Sequence, residues 1–114
     1  DKITIADFGD STISHPFFSI ALFLYSSKYR YNLNEADKTY ITLRDSYLQE
    51  WQSYTTKDNL LEALKIATIL RPFIWSLNLS RIYSCSGPEG YPEYHGHISI
   101  NLRRLINNIS SNTF

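Results

Sequence analysis

Three groups of residues have the types and spacing for chemistry: the run Asp7-Phe8-Gly9-Asp10, the pair His95-Gly96-His97, and Cys85. Asp7 follows Ile3-Thr4-Ile5-Ala6, where β-branched residues at alternate positions suit a short strand with one buried face. A carboxylate at the strand end, with Gly9 free to turn behind it, projects from a rigid support. Magnesium takes such an arrangement, because it wants oxygen ligands, few of them from protein and the rest from water and phosphates. The plainer alternative is a turn residue accepting hydrogen bonds from nearby amides, and Asp10 beside Ser11 reads that way. The two histidines can begin a zinc site, but no cysteine, aspartate or third histidine lies near them, so an exposed loop pair is expected. Cys85 has no evident basic partner and reads as a small buried or half-buried thiol. Being the one cysteine, it makes no intrachain disulfide, which fits a reducing, cytoplasmic compartment.

The run Asp7-Phe8-Gly9-Asp10-Ser11, followed by His15-Pro16-Phe17-Phe18, resembles the phosphotransferase enzyme family of aminoglycoside phosphotransferases and choline-kinase-like proteins. Its first three residues are similar to the metal-binding Asp-Phe-Gly of protein kinases. Downstream, Leu43-Arg44-Asp45-Ser46-Tyr47-Leu48-Gln49-Glu50-Trp51 is also similar to the later sequence of that family, and the likeness runs from about Ile3 to about Tyr83. The resemblance implies a protein-kinase-like fold, of which this chain is the C-terminal helical part. It implies Asp7 as a magnesium ligand, Mg-ATP as cofactor of the intact parent, and a hydroxyl of a small polar acceptor as substrate. It also implies that the helices after Asp7 wall the acceptor pocket, with Glu50, Trp51 and Glu62 as conceivable members of that wall; solvated acids and a core tryptophan are the preferred reading. A kinase of this kind needs an upstream phosphate-covering lobe and a catalytic loop, and neither fits in the six residues before Asp7. The absence of methionine points the same way, to a chain cut from something longer. Alone it is expected to be inactive and to bind no cofactor.

With 114 residues, 43% of them hydrophobic, the chain is long enough for one domain, 1–114, with a core that needs no disulfide. Eleven basic and eleven acidic residues cancel, leaving no electrostatic footprint for nucleic acid or an anionic membrane. The nine tyrosines and two tryptophans sit mostly on helical stripes without interleaved basic residues, which favours core packing over base stacking. No apolar run is long enough to span a membrane.

The elements that position these groups are read as a mainly helical bundle behind a short N-terminal strand. Pro16 sets the start of a first helix, with Ser14 or His15 at its cap, and Phe17 to Tyr25 is apolar nearly all round, as in the middle of a core. Asn34 and Asp37 resemble a capping box for a second helix from about Glu35 to Tyr54. That helix carries Tyr40, Leu43, Tyr47, Leu48, Trp51 and Tyr54 inward. Thr55 and Asp58 repeat the capping signal for a third helix bearing Leu60, Leu61, Leu64, Ala67 and Leu70, which Pro72 ends or kinks. Phe73 to Tyr83 makes a fourth helix, Ser86 to Pro92 a loop, and Ile98, Leu102, Leu105, Ile106 and Ile109 a last amphipathic helix. A strand edge left open by a missing lobe invites homodimerisation through Ile3, Ile5 and the first helix; a partner-binding helical module is thus the rival reading.

Overall fold

The computed structural model describes residues 13–111, and its described part is built from helices: α1 (Phe17–Arg30), α2 (Lys38–Gln49), α3 (Lys57–Ser86) and α4 (His97–Ser111), with two short 3-10 turns, Pro88–Gly90 and Pro92–Tyr94, between α3 and α4. The expected N-terminal strand lies outside the described residues. No helix among these is long and apolar enough to cross a membrane.

Local chemistry sets most of the boundaries. Pro16, at φ −59°, leads into α1, and the Phe17 amide donates to His15 Nδ1 at 3.2 Å, so a ring nitrogen serves as the cap. The far end closes as a Schellman turn. Asn32 takes a left-handed φ of 49°, which lets the Leu33 amide reach the Lys28 carbonyl at 3.0 Å. Asn34 and Asp37 then brace the loop: the Asp37 carboxylate accepts from the Asn34 amide, and Asn34 Oδ1 accepts from the Ala36 amide. That exchange turns the Asp37 side chain back along the loop, so α2 starts at Lys38 and not near Glu35. Thr56 caps α3 by accepting from the Asn59 amide at 3.3 Å, one residue after the expected Thr55, whose hydroxyl accepts instead from the Asn59 side chain.

Phe17, Ile20, Ala21 and Leu24 of α1, Leu48 of α2, and Leu60, Leu64 and Ala67 of α3 form the buried cluster. Tyr40, Leu43, Tyr47 and Trp51 pack against it. Further along α3, Ile69, Pro72, Ser76 and Leu79 are buried, and α4 lies along α3.

Three expectations are corrected by this packing. Pro72 does not end a helix: α3 runs through it for 30 residues, so the third and fourth expected helices are one. An interior proline costs about 3 kcal/mol, because it removes one hydrogen bond and its ring crowds the carbonyl four residues back. Here the ring is fully buried, and two hydroxyls flank the defect at i−4 and i+4. Thr68 Oγ1 donates to the Leu64 carbonyl and Ser76 Oγ to the Pro72 carbonyl, each at 2.9 Å, but neither bond reaches the Thr68 carbonyl that Pro72 leaves without an amide partner, so burial of the ring carries the compensation. Next, α1 is not central: Phe23 is 51% exposed, and Leu22 and Tyr25 open onto a cleft instead of the buried cluster. Finally, α2 tightens into i−3 turns after Gln49, and Tyr54, although its ring lies 5.9 Å from that of Trp51, is 79% exposed and outside the core.

Asp45 joins the start of α3 to α2, accepting from Arg44 Nε at 2.7 Å and Lys57 Nζ at 2.8 Å. The Arg44 bond, then that of Lys57, holds its carboxyl below the usual carboxylate range. A depressed folded-state value stabilises above the unfolded value, near 4, and that gain fades as pH falls through the folded value. The site is solvent-facing, so Asp45→Asn is expected to cost less than about 1 kcal/mol at neutral pH. It should also flatten the acid limb of the stability curve below about pH 4 in urea melts.

Candidate functional site

Two of the sequence runs, His15–Phe18 and Leu43–Trp51, meet at the start of α1. Phe17, 2% exposed, sits edge-on between Tyr47 and Trp51, with ring centroids 6.0 Å from each, and the His15 ring stands perpendicular to it at 5.0 Å. Tyr47 and Trp51 are 6.3 Å apart and tilted, and the Tyr47 hydroxyl donates to the Pro16 carbonyl at 3.1 Å. Burial pushes the Tyr47 phenol upward, so it remains a donor at neutral pH. His-Pro-Phe-Phe and the downstream Arg-Asp-Ser-Tyr-Leu-Gln-Glu-Trp run therefore form one aromatic junction, which fixes the direction of α1.

Asp7, the expected magnesium ligand, lies outside the described residues, as does Asp10. Among the acceptor-wall candidates, Trp51 belongs to this junction. Glu50 is exposed at the rim of a shallow apolar hollow lined by Ile20, Phe23, Leu43 and Tyr47, and Glu62 is exposed on α3. His95 is exposed, and His97 opens α4 half-buried against the Tyr94 ring at 5.8 Å. Among the described residues, no three His, Cys, Asp or Glu side chains gather as a metal site. Cys85 is exposed, contrary to its expected burial, in a small hollow that Arg81, one turn earlier, also lines.

A cleft without a counterpart in the sequence motifs lies between α1, α3, the Pro92–Tyr94 turn and α4, with a volume of about 390 Å³. Tyr25, Trp75 and Tyr94 supply aromatic walls, and Arg71, Arg104 and Asn101 the polar lining. The Arg71 guanidinium carbon is 3.5 Å from the centre of the Tyr25 ring, and its Nε is buried with no hydrogen-bond partner. Burial lowers the Arg71 pKa, Arg104 adds to that effect and Tyr25 opposes it. The signal that could have found the cleft was Arg71 four residues before Trp75. It is readable only if the helix continues through Pro72. A second cavity, about 370 Å³ and lined by Glu35, Tyr40, Arg44 and Lys65, carries both signs of charge, and Glu35 there is already paired with Lys28 at 2.8 Å.

Compared with protein-family models, curated proteins and solved structures, the chain has no significant match.

Proposed function

We infer that this chain is the C-terminal helical part of an aminoglycoside-phosphotransferase-like small-molecule kinase of the cytoplasm. Its intact form transfers the γ-phosphoryl group of ATP to a hydroxyl of a small polar acceptor, with Asp7 holding the magnesium ion that would neutralise phosphate charge. The observation that carries this reading is the aromatic junction. The two runs that resemble the family, far apart in sequence, are packed on one another through Phe17, Tyr47 and Trp51. A rigid base immediately after the Asp7–Ser11 run suits a site whose carboxylate must be held to within a fraction of an ångström.

The test is the coding DNA immediately upstream of Asp1. It should encode a glycine-rich lobe and a His-Gly-Asp-like catalytic loop, and an upstream reading frame with neither would falsify the proposal. For the chain alone, isothermal titration with Mg-ATP is expected to show no saturable heat, because one carboxylate holds magnesium poorly against water. Tight binding there would mean that the nucleotide site lies within these residues.

A second reading, a self-associating helical module, has one observation in its favour: Phe23 is 51% exposed on α1, beside the apolar hollow it shares with Ile20 and Leu43. A homodimer through that face and the Ile3–Ile5 segment should appear by sedimentation at high protein concentration, and a monomer there removes it.

A further inference from the structure

The geometry points to the Arg71 cleft as a binding site for a small molecule that joins an oxyanion, carboxylate or phosphate, to a flat apolar body. The charge balance comes first. The chain as a whole is neutral, but this cleft is lined by two guanidinium groups and no carboxylate. A half-buried arginine ordinarily pairs with an acid, and no acid lines this cleft: the Arg71 guanidinium lies against Tyr25, with its Nε buried and unpartnered and its terminal nitrogens left to meet an oxyanion. Geometry adds orientation. Stacking on Tyr25 at 3.5 Å fixes the plane of the guanidinium, and a fixed planar fork suits two parallel N–H···O bonds to one oxyanion. Trp75 and Tyr94 then offer faces for an unsaturated ring, and about 390 Å³ is within the range of small-ligand pockets. The mixed-charge cavity over Glu35 has no such imbalance, since its acid is already paired.

The cleft, at about 390 Å³, suits a single ring bearing one oxyanion and not a nucleoside triphosphate, so it stands apart from the phosphotransferase reading and is tested on this chain without ATP. Calorimetric titrations at low salt would use benzoate, phenyl phosphate and inorganic phosphate, with Trp75 emission as a second readout. At least one of the aromatic anions is expected to bind saturably. Benzoate alone would assign the carboxylate, and phenyl phosphate alone the phosphate. Inorganic phosphate should bind about tenfold more weakly than phenyl phosphate, since it has nothing to stack. Arg104→Gln, an exposed position whose loss should leave the unfolding midpoint unchanged, is expected to weaken binding about tenfold, and Arg71→Lys, which keeps the charge but not the fork, by a similar factor. No saturable heat with either aromatic anion overturns the proposal. Unchanged affinity in Arg104→Gln does so as well, and inorganic phosphate binding as tightly as phenyl phosphate removes the flat body from it.

Discussion

Phe17→Ala should lower stability by about 3–5 kcal/mol, a large share of the roughly 5–15 kcal/mol typical of a domain this size. The ring is 2% exposed and touches His15, Tyr47 and Trp51, so its loss leaves a cavity where α1 meets α2. In a thermal melt the midpoint should fall by on the order of 15 °C. Tyr47→Phe separates packing from hydrogen bonding at the same place. It keeps the ring and removes only the bond to the Pro16 carbonyl, for a cost of about 1 kcal/mol. If both variants lost about the same amount, the junction would be held by its hydroxyl and not by the packing of its rings.

Leu48→Ala is expected to cost about 2–5 kcal/mol and to act mostly on one helix. Among the described residues of α2, Leu48 is the one that is fully buried, at 0% exposure, and α2 is only 12 residues long. A helix that short is marginal in water by itself, so it persists because a side chain anchors it to the rest. Hydrogen exchange should therefore show α2 amides losing protection ahead of those in the first half of α3, where Leu60, Leu64 and Ala67 stay packed against α1. Equal loss across both helices would mean that α2 and α3 open as one unit.

Much of the described architecture was legible in the residues. The steps of three and four from Leu60 to Ala67 mark a face that is buried as the periodicity requires, and the Thr-rich start of α3 and the Asn34–Asp37 exchange are visible as short-range hydrogen-bond chemistry. The last amphipathic helix is present, although Leu102, Ile106 and Ile109 of its expected stripe are exposed and Asn101 is the residue buried. The candidate site divides differently. His15, Phe17, Tyr47 and Trp51 each stand out in the sequence, but as parts of separate helices, while Arg71 reads there as a helix end.

The chain's own letters thus determined that it is helical, where most helices begin, and which face of the first half of α3 turns inward, because these depend on neighbours within one or two turns. Tertiary structure alone decided three other matters. It carried α3 through Pro72, where burial of the ring offsets a local penalty of about 3 kcal/mol. It chose which side of an α1 apolar nearly all round would be covered. It also set Arg71 over Tyr25 and beside Arg104, three residues on three helices. Each of these outcomes depends on groups distant along the chain, and no local pattern of hydrophobicity or capping records them.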